Sequence, residues 1–156
     1  MSKIRVYTDG ACRGNPGPGG WGAIILLKDG KKEISGFEEY TTNNRMELMA
    51  VIKALKCCIK KYNCNSIDVY SDSAYVVNAI KQEWLRRWKW NGFRTRAGEP
   101  VKNQDLWISL DELLKGRKIN LIKIKGHNGH KHNERVDLIA KAAIDNSPLV
   151  NKSISK

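Results

Sequence analysis

The chain has 156 residues, a formal net charge of +12 and an isoelectric point of about 9.7. Its hydrophobic content of 41% argues against disorder, and no apolar run reaches the roughly 18 residues that cross a bilayer. We therefore expect one domain over residues 1–147, a flexible polar tail over 148–156, no membrane partner, and a polyanion such as nucleic acid as partner. A lysine-rich composition unrelated to any partner is the alternative.

The N-terminal segment and the cysteines indicate the compartment. Residues 1–10 lack the apolar core and cleavage site of a signal peptide. Cys12, Cys57, Cys58 and Cys64 show neither a C-x-x-C pair nor zinc-site spacing, so we expect thiols. These features predict a cytoplasmic protein, and nothing in the sequence requires more than a monomer.

The first strand is predicted over Lys3–Ala11, where side chains alternate with the two-residue period of a β-strand. Asp9 lies near its end, where the strand would hold the carboxylate in a fixed position. A solvated residue at a strand end is the alternative. The following glycines match the dinucleotide-binding spacing, but Pro16 and Pro18 interrupt them and a second strand follows instead of a helix. We interpret this stretch as a hairpin connection.

Strands over Gly20–Leu27 and Lys32–Tyr40 flank an Asp-Gly pair that is typical of a tight hairpin. The first three strands should therefore form an antiparallel meander. A helix follows as far as about Tyr62, with apolar residues at helical spacing. Glu47 lies at the head of its core-facing stripe. A capping box with Asn44 is the alternative role for this acid.

A fourth strand over Ser66–Ser71 leads to Asp72 and then to a helix. A strand after a helix that follows a strand predicts a parallel crossover, and functional groups gather beyond the carboxyl ends of such strands. Asp72 lies there, although a helix N-cap is its ordinary alternative. A fifth strand over Ile119–Ile124 and a helix over Asn133–Asn146 complete the pattern. Asp137 lies on or beside the apolar face of that helix.

Residues 83–103 interleave basic and aromatic side chains ahead of a helix over Gln104–Lys115. Basic groups contact phosphates, and aromatic rings stack on bases or sugars or anchor the segment. Tryptophans in the core beside a solvated arginine face are the alternative. We favour nucleic-acid binding by a protruding, loop-rich element. The residues to which we assign it are Trp84, Arg86, Arg87, Trp88, Lys89 and Trp90.

Four acids stand at the ends of predicted elements: Asp9, Glu47, Asp72 and Asp137. Each has another explanation alone, but together they are unusual because an unpaired carboxylate beside a core is costly. A divalent cation would remove their repulsion, and oxygen ligands favour Mg²⁺ or Mn²⁺ over zinc. Two ions about 4 Å apart would support phosphodiester hydrolysis, with His127 as a proton shuttle. Exposed loop histidines, or a zinc site from them, are weaker alternatives.

Five segments carry, in order, a resemblance to the type 1 ribonuclease H family, closest to the bacterial single-domain enzymes. They are Thr8–Ile24, Thr41–Leu55, Tyr70–Val76, Pro100–Trp107 and Lys125–Ala140. The resemblance implies an α/β ribonuclease H-like fold, in which helices flank a five-stranded mixed sheet of three antiparallel strands plus two parallel ones. It also implies an endonuclease that hydrolyses the RNA strand of RNA–DNA hybrids and leaves 3′-hydroxyl and 5′-phosphate ends.

The resemblance also implies residue roles. The four acids match ligands of two Mg²⁺ ions, with Mn²⁺ as a possible substitute. His127 matches a mobile-loop histidine that assists proton transfer or product release, and Glu134 an acid that influences metal exchange. Thr42 and Asn103 match a pocket for a DNA-strand phosphate, and residues 84–96 a basic protrusion that grips that strand. Residues matching minor-groove contacts, where 2′-hydroxyls distinguish RNA from DNA, are Cys12, Asn15, Asn43 and Asn44.

Two departures from the family pattern are visible. Ala74 stands where close bacterial relatives often carry Gln, so we expect one substrate hydrogen bond to be missing. Lys131-His132 replaces a Pro-Glu and adds positive charge beside the site. Neither change involves the four acids, so activity is expected. A hybrid-binding module without catalysis and an integrase-like strand-transfer enzyme stay open as rivals, and the minor-groove set argues against the second.

Overall fold

The computed structural model describes residues 3–125 and 131–147. Its strands are β1 (Ile4–Cys12), β2 (Gly17–Leu27), β3 (Gly30–Thr41), β4 (Ser66–Ser71) and β5 (Lys118–Lys123). They lie in the order β3-β2-β1-β4-β5, so β3 and β5 form the two edges of the sheet. β1, β2 and β3 pair antiparallel, whereas β4 runs parallel to both β1 and β5. The predicted mixed sheet is confirmed.

Five helices complete the described part of the chain. They are α1 (Asn43–Tyr62), α2 (Ala74–Lys81), α3 (Trp84–Trp90), α4 (Gln104–Leu114) and α5 (Lys131–Asp145). Four of them match predicted helical segments, and α3 replaces part of the predicted loop-rich element. None of these helices is long and apolar enough to cross a membrane. The predicted tail, 148–156, lies outside the described residues.

Apolar clusters lie on both faces of the sheet because side chains alternate between its faces. Along β1, Val6 belongs to the larger cluster, which packs against α1, α2 and α4. The neighbouring Tyr7 belongs to the smaller cluster beneath α5, together with Ile24 and Val136. Asp9 follows Tyr7 by two residues, so its side chain leaves the strand on the face that α5 covers. Helix α1 packs on the opposite face of the same strand.

Glycines in β2 allow α5 to lie directly on the sheet. A Cβ atom on Gly22 would lie 2.7 Å from Cγ2 of Ile139 and 3.1 Å from the backbone nitrogen of Ala140. Gly22 pairs with Asp9 in the β1–β2 ladder. The helix turn that contains Asp137 is therefore held over the end of β1 where Asp9 lies.

We expect Gly22→Ala to lower the free energy of unfolding by about 1–3 kcal/mol, because the added methyl group overpacks the interface with α5. Equilibrium urea denaturation measures the loss. Ile139→Ala removes the atom that the new methyl group meets, so the double variant should lose less than the sum of the two single changes. Strictly additive losses would contradict the close approach.

Candidate metal centre and nucleic-acid interface

Asp9 occupies the centre of the sheet, one residue beyond the last pairing of β1 with β4 at Thr8 and Ser71. Its side chain is 4% exposed, and its Oδ1 accepts a hydrogen bond of 2.9 Å from the backbone N–H of Gly10. The carboxylate is thus buried and fixed by the strand that carries it. The alternative of a solvated residue at a strand end is wrong.

Glu47 reaches Asp9 because Gly10 has no side chain. A Cβ atom on Gly10 would collide with the backbone of Met46 and Glu47, so the start of α1 contacts β1 directly. The cap of α1 is Thr42, whose Oγ1 accepts a hydrogen bond of 3.2 Å from the backbone N–H of Arg45. The capping box that we considered for Glu47 is therefore absent at this helix start, and its carboxyl is left for the site.

Asp72 enters the site from the end of β4. Ser73, the next residue, is the N-cap of α2 and accepts a hydrogen bond of 3.3 Å from the backbone N–H of Val76. Asp72 is therefore not the helix cap that we considered as its alternative role. Asp9, Glu47 and Asp72 each present one carboxylate oxygen, and these oxygens all lie within 4.8 Å of one another.

The other two predicted acids, Asp137 and Glu134, lie on α5. Asp137 is largely buried, with 18% of its side chain exposed, and its Oδ2 pairs with Nζ of Lys141 at 3.0 Å. It stands outside the group of three, yet its charge helps to raise the pKa of Asp9. Glu134 is exposed in the first turn of α5. His127 lies outside the described residues.

Crowding of the acids changes their ionisation. Burial first, and then the charges of Asp72 and Asp137, raise the pKa of Asp9 from 3.8 to about 7. Burial and the neighbouring Asp9 also raise the pKa of Glu47 well above its ordinary value. Oε2 of Glu47 is buried and has no hydrogen-bond partner among the described residues. Buried, mutually repelling oxygen donors are what a hard divalent cation stabilises, so this cluster fits a metal ion.

The predicted minor-groove residues lie close together where the β1–β2 connection meets α1. Oδ1 of Asn15 accepts a hydrogen bond of 2.8 Å from the backbone N–H of Asn43, and Asn44 is exposed one residue further along. The Cys12 thiol donates towards the carbonyl of Thr41, with a sulphur–oxygen distance of 3.3 Å. These two contacts hold the end of β1 and the following connection against the start of α1, the helix that carries Glu47.

The predicted basic protrusion is built around α3, and its tryptophans divide into two groups. Leu85 is buried, and the ring of Trp88 packs against that of Trp107 with centroids 5.2 Å apart. Trp84 contacts Trp88 and is partly buried with it. Trp90, by contrast, is 87% exposed. The residues exposed on this helix are Arg86, Arg87, Lys89 and Trp90. Trp84 and Trp88 therefore pack against the core. The exposed side of α3 carries three basic side chains and the ring of Trp90, which are accessible to a ligand.

Comparison with known proteins agrees with this arrangement. The family model for RNase H matches residues 1–145. This chain belongs to the RNase H family. The ribonuclease H of Acetivibrio thermocellus is 54% identical over 140 residues, which are 90% of this chain and 93% of the relative. The ribonuclease H of Symbiobacterium thermophilum is 50% identical over 144 residues, with 92% and 96% covered. The sequence resemblance is confirmed.

Solved RNase H structures share the fold. LC9-RNase H1, a type 1 RNase H with the type 2 active-site motif, superposes with a TM-score of 0.79 at 29% identity and covers 91% of this chain and 72% of that one. LC11-RNase H1 in complex with an RNA/DNA hybrid gives a TM-score of 0.69 at 25% identity, with 91% and 96% covered. This RNase H therefore has both the sheet and the helix arrangement of its relatives.

Sequence reasoning missed three residues that shape the site. Gly10 directly follows the first acid, and that position is the signal that could have marked it as a close-approach glycine. Arg45 lies within the segment Thr41–Leu55 that carries part of the resemblance. Its partners lie on β3 and α4, and sequence spacing does not predict contacts between elements so far apart in the chain. Tyr75 was missed for the same reason, because its hydrogen bond with Asn103 joins residues that are distant in the sequence.

We expect Asp9→Asn to raise the melting temperature of the metal-free protein at pH 8. Asp9 has a folded-state pKa of about 7 against an ordinary 3.8, so the folded state binds an extra proton between these values and gains stability as pH falls. Removing the charge should therefore stabilise the metal-free protein at high pH. Each kcal/mol gained in the free energy of unfolding should raise the melting temperature by about 2–4 °C. Calorimetry in chelator from pH 8 to pH 5 should show the difference between the two proteins shrinking.

The exposed Asp29→Asn serves as the matched control and should leave the melting temperature nearly unchanged at every pH. An Asp9→Asn protein that is less stable than wild type at pH 8 in chelator would show that the acids do not repel one another.

We expect Gly10→Ala to weaken Mg²⁺ binding by at least about tenfold, since the methyl group must push α1 and Glu47 away from Asp9. Titration calorimetry with MgCl₂ measures this. Gly36→Ala is the control, because it overpacks Trp21 away from the acids and should cost stability without changing metal affinity. Equal metal affinity in all three proteins would contradict the role of Gly10.

Proposed function

We propose that this RNase H is an endonuclease that hydrolyses the RNA strand of RNA–DNA hybrids and leaves 3′-hydroxyl and 5′-phosphate ends. The observation that carries the proposal is the cluster of Asp9, Glu47 and Asp72, whose oxygens lie within 4.8 Å. Family membership over residues 1–145 and the likeness to a hybrid-bound RNase H1 support it.

The proposed cofactor is Mg²⁺, as two ions in the substrate complex, with Mn²⁺ as a substitute. The donor set supports a hard cation, because all of the clustered ligands are carboxylate oxygens. When bound, the ions would supply an activated water and stabilise the charge on the leaving oxygen. Asp9, Glu47, Asp72 and Asp137 would hold them, with Asp137 exchanging its present partner Lys141 for the metal.

The chain's own groups would complete the chemistry. The buried Asp9 and Glu47 place carboxyl oxygens where positive ions would bind, and the half-buried Asp72 lies at the side of the cluster that faces solvent. His127 is proposed to accept or donate the proton and to help the product leave, since its ordinary pKa of about 6.5 suits transfer near neutral pH. Glu134, exposed in the first turn of α5, is proposed to influence exchange of the metal.

Substrate recognition is proposed to use two surfaces. Residues beside the acids would read 2′-hydroxyls in the minor groove, and these residues are Cys12, Asn15, Asn43 and Asn44. Thr42 and Asn103 would bind a DNA-strand phosphate. The exposed cations of α3 would hold the same strand further along, with Trp84 and Trp88 supporting the helix and Trp90 open for stacking. Such a grip should weaken as salt rises.

Residues 1–147 are proposed to act as one catalytic domain, followed by the tail, and the protein is proposed to work as a cytoplasmic monomer. The cysteine spacing supports this compartment, because Cys12, Cys57, Cys58 and Cys64 show neither a C-x-x-C pair nor zinc-site spacing. Burial raises the pKa of the Cys58 thiol to about 12, which keeps it unreactive.

The deciding experiment is cleavage of a hybrid labelled on either strand, with Mg²⁺ present. Wild type should cut the RNA strand alone and yield ends that a polymerase extends. Asp9→Asn should be slower by roughly 10²–10³-fold, since it removes several kcal/mol of metal-assisted stabilisation. Salt-sensitive binding without turnover by wild type would favour a hybrid-binding module instead. Preferential cutting of duplex DNA would favour a strand-transfer enzyme.

A further inference from the structure

Arg45 connects three elements at the edge of the site. It lies in the first turn of α1, and only 26% of its side chain is exposed. Its Nε donates a hydrogen bond of 3.2 Å to Oε1 of Glu38 on β3. Nη1 and Nη2 donate to the two carboxylate oxygens of Asp105 on α4, at 3.0 and 2.8 Å. Such a two-pronged pair fixes orientation as well as distance.

The same residue hydrogen-bonds both members of the proposed phosphate pocket. Its backbone N–H donates to Oγ1 of Thr42 at 3.2 Å, and its Nη1 donates to Oδ1 of Asn103 at 3.4 Å. Nδ2 of Asn103 donates to the hydroxyl of Tyr75 at 3.1 Å, and that hydroxyl also accepts from Nε1 of Trp107 at 3.0 Å. The acceptor atoms of Thr42 and Asn103 are therefore engaged within the protein.

This pattern leaves donors for a ligand. Among the described residues, the hydroxyl proton of Thr42 and the second hydrogen on Nδ2 of Asn103 have no partner, so both groups are suited to an anion. Arg45 itself is poorly suited to hold that anion by charge, because the carboxylates of Glu38 and Asp105 already face its guanidinium. Its effect on a phosphate must therefore be geometric.

The bond to Thr42 comes from the main chain of α1, whereas the bond to Asn103 comes from the arginine side chain. We propose that Arg45 is a positioning residue whose guanidinium orients Asn103 relative to Thr42, at the spacing that binds a phosphate of the DNA strand. The inference rests on the proposed function, because it deepens the role given there to these two residues. Arg45 also precedes Glu47 by two residues on α1. The arginine therefore ties the phosphate grip and one metal-site acid to the same helix end.

The first test compares Arg45→Lys with Arg135→Lys. Lysine keeps the charge but cannot make the two-pronged bond. Arg135 on α5 makes the same kind of bond to Glu33 on β3, at 2.8 and 2.8 Å, so it is a chemically matched control for the loss of a two-pronged bond. We expect Arg45→Lys to raise KM for the hybrid about tenfold with kcat within about twofold. Arg135→Lys should leave both constants within about twofold of wild type.

The second test changes the substrate instead of the protein. Hybrids are prepared with one uncharged methylphosphonate at successive DNA-strand positions, and KM is measured for wild type and Arg45→Lys. At one position the methylphosphonate should raise KM about tenfold for wild type. It should raise KM hardly further for Arg45→Lys, because the protein change and the substrate change remove the same interaction.

The outcomes separate the two claims. A wild type that cleaves hybrids normally beside an Arg45→Lys protein with unchanged KM overturns the inference alone. Equal losses by both proteins at every methylphosphonate position overturn it too. A wild type that neither cleaves nor binds hybrids overturns the proposed function and this inference with it. An unchanged Mg²⁺ affinity in Arg45→Lys, together with the raised KM, supports positioning of the phosphate grip over general damage to α1.

Discussion

The close approach of α1 to β1 at Gly10 is the constraint on which the rest of the site depends. The two backbones touch there because the strand presents no side chain to the helix. Glu47 comes beside Asp9 only through this contact, and the first turn of α1 is carried with it. Asn43 and Arg45 thereby reach partners in the β1–β2 connection and on β3. The absence of a side chain at Gly10 thus positions both the acidic cluster and the first turn of α1.

The acids make the site costly for the folded protein and useful for binding. The chain has a net charge of +12, yet it buries Asp9 and Glu47 side by side. Their raised pKa values express that cost. The two carboxylates stay close because β1 carries Asp9, α1 carries Glu47, and the backbone contact at Gly10 fixes the strand against the helix. A cation returns part of the lost stability when it binds.

Much of the fold was predictable, because strand alternation and helical spacing are local properties of the sequence. Asp9 and Asp72 were found because strand ends can be located from those patterns. The role of Gly10 and the partners of Arg45 could not be found, since both depend on contacts between elements distant in the chain. Trp88 and Trp90 show the same limit, because one packs on Trp107 and the other is open although they are two residues apart. His127 stays a prediction from sequence.

The outer edge of the sheet has a consequence for molecules that crowd along one nucleic acid. Within the described part of the chain β3 pairs only with β2, so its other side presents backbone groups that a neighbouring strand could pair with. Charged residues lie along this strand at Lys31, Lys32, Glu33, Glu38 and Glu39. Joining two such edges would strip these charged side chains of water, which disfavours aggregation. Neighbouring copies can therefore work at high local concentration without fusing their sheets.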